Sequence, residues 1–240
     1  AIAERHGMLF SLMPKPFTDQ PGCGMHFHLS MWQGSGGDAK CLFTPHLPDG
    51  AADRSRTLST RGMFFAAGVL DHAAALCALG APTVNSYKRL CIGDSLCGSN
   101  WAPAYVAHGP DNRSALVRTL HGRFEWRLPD SSANPYLVLA GLIAAGLDGI
   151  DRRIELGPDC TDDLFSMPEA QVRELGIARL PRTLDDALVA LEAHARTCRR
   201  PGDGLERGQH FAHGDVQCRQ VQRQAAAERA ARGFVDGDQA

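Results

Sequence analysis

The sequence predicts a mixed fold of the α+β class, on three observations. Short runs alternate polar and apolar residues, as half-buried strands do. A tight His121-Gly122 turn joins two of these runs as a hairpin. Two long stretches repeat apolar residues at three- and four-residue spacing, as helices do.

Taken in order, residues 8–13 and 23–32 read as strands, separated by a loop that holds Pro14, Pro16, Pro21 and Gly22. The chain is therefore expected to start within a domain, because almost nothing precedes the first strand. Residues 33–50 form a polar loop with Gly34, Gly36, Gly37, Pro45, Pro48 and Gly50. A helix from about Ser59 to Leu79 carries Phe64, Ala67, Gly68 and Leu70 on a helical period, and Pro82 closes that region. Residues 83–101 are a long loop. Residues 102–107, 114–120 and 123–128 are short strands, the last two forming the hairpin. A second helix spans about Asn134 to Ile150, with Pro135 suited to its first turn. A third runs from about Leu184 to Ala195, behind Thr183 and with Asp185 and Asp186 in its first turn. These elements make one domain over 1–195. Residues 196–240 change character, becoming rich in Arg, Gln, Ala and Gly after a breaker cluster at Pro201-Gly202-Asp203-Gly204. That tail is expected to be poorly ordered, with at most a solvated helix over 216–232, or to be an out-of-frame continuation.

Composition narrows the function classes. With 240 residues, the chain can bury a sizeable core. Its formal charge of −2 gives no global field for nucleic acid or an anionic membrane. The eight cysteines form no Cys-x-x-Cys pair, so a zinc ribbon or thioredoxin-like site is disfavoured and reduced thiols are expected. The longest apolar stretch, Tyr136 to Leu147, is too short to span a bilayer, so a cytoplasmic location is expected.

Four motifs carry chemistry. In Gly24-Met25-His26-Phe27-His28-Leu29-Ser30, strand alternation puts His26, His28 and Ser30 on one face. An imidazole there can ligate a metal or donate to phosphate, or the pair can be surface histidines on an edge strand. In Arg123-Phe124-Glu125-Trp126-Arg127-Leu128, Glu125 and Arg127 share a face opposite Phe124, Trp126 and Leu128. A carboxylate between guanidinium groups is either an ion pair on a half-buried strand or an anion-and-metal site. Asn112-Arg113-Ser114 precedes Arg118, and guanidinium forks suit phosphate and carboxylate. Strict alternation separates Arg113 from Arg118, so both reach one ligand only if Arg113 lies in the preceding loop or a bulge intervenes. Asn85-Ser86-Tyr87-Lys88-Arg89 is a polar, basic loop that could clamp a carboxylate or simply connect. Neither a P-loop nor a dinucleotide-binding glycine fingerprint occurs.

Met13-Pro14-Lys15-Pro16, Gly24 to Ser30, Pro82 to Leu90, Asn112-Arg113-Ser114, Phe124 to Asp130, Ala133-Asn134-Pro135-Tyr136 and Ala144 to Ile150 occur in that order over residues 8 to about 195. This series resembles the catalytic domain of the glutamine synthetase family, including its type III and γ-glutamyl-amine synthetase-like members. The resemblance implies a curved, mostly antiparallel sheet with outer helices. It also implies an ATP- and Mg2+- (or Mn2+-) dependent ligase that joins ammonia or an amine to glutamate through γ-glutamyl phosphate. By the same resemblance, His26 and Glu125 ligate a metal, and His28, Ser30 and Arg118 contact ATP. Gly22, Arg89 and Arg127 hold glutamate, and Arg113 stands by the transferring phosphoryl group. Homo-oligomers with sites between subunits are implied as well.

The sequence departs from the family pattern in three places. The family's N-terminal β-grasp domain, and the segment carrying most of its metal-binding glutamates, are absent from these residues. Trp101 stands where ammonia-using members carry an acidic residue, an aromatic that resembles members acting on alkylamines or polyamines. Pro21 replaces an expected Asn. A γ-glutamyl-monoamine or polyamine synthetase, and an inactive fragment serving as a nucleotide-binding or assembly module, are the alternatives.

Overall fold

The computed structural model describes residues 2–46, 56–92 and 102–197, with side chains to residue 194. Trp101, the remainder of the 93–101 loop and the 198–240 tail lie outside the described residues. In chain order the elements are α1 (Ile2–Arg5), β1 (Phe27–Leu29), β2 (Trp32–Gln33), β3 (Lys40–Cys41), α2 (Thr60–Asp71), α3 (Ala73–Gly80), β4 (His108–Pro110), β5 (Val117–Leu120), β6 (Arg123–Trp126), α4 (Pro135–Arg152), α5 (Glu169–Glu174) and α6 (Leu184–Thr197).

One sheet runs in the order β1-β6-β5-β4, and β2 and β3 form a separate ribbon. The β1–β6 and β5–β6 pairs are antiparallel, whereas β4 lies parallel to β5. The His121-Gly122 turn links β5 to β6 as expected. Gly122 takes a φ of 72°, a left-handed conformation that glycine adopts without a Cβ clash. The register fixes the site: His28 stands opposite Glu125, and Glu125 opposite Arg118.

The inner face of β6 and the residues just after it anchor the core. Phe124, Trp126 and Leu128 are fully buried, each contributing about 2 kcal/mol by removal from water. Phe124 stacks on Phe43 at 6.2 Å and meets Phe65 of α2 at 5.9 Å between ring centroids. Helix α2 then packs closely on α4, backbone against backbone at Gly68 and with the Phe65 ring laid on Gly146. A Cβ on Gly68 would lie 2.2 Å from the Ala145 carbonyl oxygen, and one on Gly146 would lie 2.1 Å from the Phe65 ring. A second small core joins Ala104, Tyr105, Ala107 and Ala115 to Cys160, Leu164 and Val172.

Several expected boundaries are corrected. Residues 8–13 form no strand. Leu9 is 96% exposed, and Met8, Phe10, Leu12 and Met13 are exposed as well. An apolar run becomes a strand only where a neighbouring edge accepts its hydrogen bonds, and β1 pairs only with β6. The 23–32 strand shortens to two pieces, β1 and β2. The expected 59–79 helix is two helices bent by 73° at His72. There His72 Nε2 sits 2.8 Å from Asp148, and Arg152 joins Asp148 at 2.7 Å and Asp71 at 2.8 Å. That network ties the bend, which holds no proline, to α4. The 102–107 run contributes only a bridge between Tyr105 and Arg179, and the sheet strand β4 begins at His108. Among the described residues no single helix is long and apolar enough to cross a membrane.

Candidate active site

Glu125 is the hub. It projects from β6 and is 4% exposed. His26 Nδ1 lies 2.8 Å from its Oε1, and His28 Nε2 lies 3.7 Å from the same oxygen. Its other oxygen accepts from Arg127 at 2.9 Å and from Arg118 at 3.3 Å. The alternation expected of both strands therefore holds, and the two faces meet across the β1–β6 pair. Ser30 lies further along the exposed face and accepts from the Trp32 indole at 2.9 Å.

The surroundings shift both groups of this pair. Burial alone would raise the Glu125 carboxyl, but the Arg127 guanidinium, its hydrogen bond and His26 outweigh it and hold the carboxyl below its ordinary range. Burial, with Arg127 adding to it, pushes the His26 imidazole down despite the carboxylate. A neutral imidazole facing an ionised carboxylate donates through Nδ1, so His26 Nε2 keeps its lone pair.

A second group forms where the 14–24 loop meets the turn at Val84–Lys88. Thr83 caps that turn through a reciprocal box with Ser86. Asn85 clamps the loop, accepting from Lys15 N at 2.7 Å and donating to Lys15 O at 3.0 Å. Arg89 follows the turn, is 4% exposed and donates to the Leu128 carbonyl. Gly22 lies against its stem, where a Cβ would stand 3.2 Å from Arg89 Cδ and 2.5 Å from the Pro14 carbonyl oxygen. Only glycine fits there. Arg89 Nε is buried with no hydrogen-bond partner, an uncommitted donor. Burial pushes the Arg89 guanidinium down, and the buried Asp130 carboxylate opposes that shift.

Arg113 and Arg118 do reach one place. Arg113 lies in the turn before β5, and both line a cavity of about 570 Å3 with Asp111, Asn112, Ser114, Thr161 and Asp163. Asn112 donates to the Cys160 and Asp162 carbonyls at 2.8 and 2.9 Å, which docks the 157–163 loop as the far wall. Sequence reasoning missed three participants: Asp111, Asp163 and Asp130. Asp111 binds Arg118 through Nη2 and through Nε, the latter at 3.1 Å, from a left-handed φ of 56°. A turn-forming Asp-Asn after Pro110 was the available signal, since Asp tolerates that conformation. Asp163 comes from a segment without a motif.

The structure thus brings together His26, His28, Glu125, Arg118 and Arg127, places Arg113 in the same cavity as Arg118, and packs Gly22 on Arg89. Trp101 is outside the described residues. Among those residues, three-membered ligand clusters of His, Cys, Asp and Glu occur only at Asp71, His72 and Asp148, away from this site. His26 and Glu125 offer two ligands.

Comparison with known proteins identifies the family. Residues 1–207 match the family model for the glutamine synthetase catalytic domain. A glutamate–methylamine ligase of Methyloversatilis universalis is 46% identical over 191 residues, covering 80% of this chain and 41% of that protein. A glutamine synthetase of Thermococcus kodakarensis is 42% identical over 197 residues, covering 80% of this chain and 40% of that protein. The solved structure of a GmaS/ADP complex superposes with a TM-score of 0.74 at 35% identity, covering 95% of this chain and 48% of that one. The chain spans less than half the length of these relatives. With the family model matching residues 1–207, the chain belongs to the glutamine synthetase catalytic-domain family.

Proposed function

We propose that this site serves the ATP-dependent joining of ammonia or a small amine to the γ-carboxylate of glutamate. The observation that carries the reading is the convergence of His26, Arg118 and Arg127 on the Glu125 carboxylate, next to a cavity lined by Arg113 and Arg118. An ATP phosphate tail and a dicarboxylate substrate are both polyanions, and four buried or cavity-lining guanidinium groups match that charge.

In this reading Gly22, Arg89 and Arg127 hold glutamate, with the uncommitted Arg89 Nε as a donor for a carboxylate. His28, Ser30 and Arg118 bind ATP. A γ-carboxylate oxygen attacks the γ-phosphorus, the bond to ADP breaks, and γ-glutamyl phosphate results. Arg113 and Arg118 neutralise the charge on the phosphoryl oxygens, which is the main catalytic work in such transfers. The amine nitrogen then attacks the acyl carbon, phosphate departs and the amine loses a proton. An ionised Glu125 oxygen and a neutral imidazole suit a divalent cation, so Glu125 and His26 would hold Mg2+ or Mn2+ with the imidazole proton moved from Nδ1, the nitrogen that faces Glu125, to Nε2. When bound, the cation supplies further neutralisation of phosphate charge. The free thiols of Cys23, Cys41, Cys77 and Cys160 suit a reducing, cytoplasmic setting, and assembly as a homo-oligomer goes with the same reading.

Methylamine is the finer choice of amine. The 46% identity to a glutamate–methylamine ligase supports it, as does an aromatic Trp101 suited to an alkylammonium. The test is phosphate release from Mg-ATP and glutamate with ammonium, methylamine or putrescine. It is measured on this chain and on a version extended to the length of its relatives. Faster release with methylamine is expected. Preference for ammonium would reject methylamine alone, and no amine-dependent release from the extended version would reject the ligase reading.

A further inference from the structure

The Arg118 guanidinium is held from two sides. Glu125 takes Nη1 at 3.3 Å from the interior, and Asp111 takes Nη2 and Nε from the mouth of the cavity. Glu125 is already engaged by Arg127 and His26, so its geometry is set without Arg118. Asp111 is different. Its side chain is 76% exposed, and a pair so open to water adds little to stability. Its backbone sits at a left-handed φ of 56°, which a glycine would adopt at lower cost. Its amide continues the parallel ladder past β4 by donating to the Thr119 carbonyl at 3.1 Å. The backbone is therefore anchored, and the carboxylate is aimed at Arg118 within the cavity that Arg113 also lines.

A carboxylate placed on the outward edge of a guanidinium occupies the donors that a phosphate would take, since the fork presents its N–H groups in fixed directions. We propose that Asp111 is a built-in competitor for the phosphate site. It holds Arg118 pointing into the cavity while no anion is present, and an entering phosphate or polyphosphate displaces it from Nη2 and Nε. This inference rests on the reading of Arg118 as a phosphate contact. Asp111 is a positioning residue that keeps the guanidinium aligned and at the same time weakens anion binding. That weakening also eases departure of a spent polyphosphate product.

The probe is inorganic pyrophosphate, titrated into the full 240-residue chain and its variants by calorimetry, with thermal melts confirming that each is folded. Asp111→Asn is expected to bind pyrophosphate several-fold more tightly than the parent. Asp111→Gly, which also relieves the left-handed backbone, should do the same. Asp111→Glu should restore parental affinity, a rescue that a merely structural role would not produce. Arg118→Gln should lose the gain in the Asp111→Asn background. Unchanged or weaker binding in both Asp111→Asn and Asp111→Gly would overturn the proposal, as would absence of pyrophosphate binding by parent and variants alike. Because the probe is inorganic and no turnover is read, this pattern can hold even where amine-dependent phosphate release fails. The two readings therefore fall separately.

Discussion

Gly68 of α2 and Gly149 of α4 meet backbone to backbone. A Cβ on Gly68 would stand 2.7 Å from the Gly149 Cα, and one on Gly149 would stand 2.2 Å from the Phe64 carbonyl oxygen. Real Cβ atoms do not approach backbone so closely, so a methyl at either position forces the helices apart. Gly68→Ala is expected to cost about 1–3 kcal/mol despite the better helix propensity of alanine. Urea unfolding measures this. Gly37→Ala, where nothing lies within 4 Å, is the control and should stay within about 0.5 kcal/mol of the parent.

Glu125 gathers two arginines and a histidine while 4% exposed. Removing it leaves buried positive charge uncompensated. Glu125→Ala is expected to lose about 3 kcal/mol of stability and to abolish metal-dependent phosphate release. A melting temperature near the parent's, together with an unchanged Mg2+ titration, would contradict both halves.

Arg113 separates stability from chemistry. It is exposed and lines the cavity from a turn, so Arg113→Ala should leave stability within about 0.5 kcal/mol. Phosphate release by the extended enzyme should fall about a hundredfold or more, the scale seen when one charge-stabilising donor is lost. Parallel measurement of unfolding midpoint and rate checks the split.

Acid should destabilise the fold in two stages. His26 and His194 are both pushed below the ordinary 6.5, first by burial and then by Arg127 and His72 respectively. The unfolded chain binds these protons more readily, so stability present above about pH 6.5 is lost as pH falls through and below that value. Glu125 and Asp148 are held below the ordinary 4.5 and 3.8, because their cationic neighbours outweigh burial. Their contribution is lost as pH falls below those values toward the depressed ones. Urea midpoints between pH 8 and pH 3 should show both losses, and His26→Gln should shrink the first and, because His26 also helps lower Glu125, trim the Glu125 part of the second.

The sequence carried the polar face of the candidate site well, because strand alternation is a local property. Glu125 and Arg127 opposite Phe124, Trp126 and Leu128 follow from a period of two, and so do His26 and His28. The hairpin at Gly122 followed from one glycine. Tertiary features were not legible. Nothing near His72 breaks a helix locally, and the partners that meet the bend, Asp148 and Arg152, lie far along the chain. The run Met8 to Met13 has the apolarity of a strand, but composition does not say which edge it would meet. Asp163 enters the cavity through a loop whose docking rests on the Asn112 side chain, a contact across about fifty positions.

Strand β4 and the 157–163 loop touch at Gly109, where a Cβ would lie 1.9 Å from the Cys160 carbonyl oxygen, and the Cys160 amide donates to His108 O at 2.8 Å. Main chain abuts main chain at this seam, next to Pro110 and Thr161 of the cavity lining. The seam has no room for an added side chain, so any residue other than glycine at position 109 would prise the 157–163 loop off β4 and carry that wall of the cavity with it.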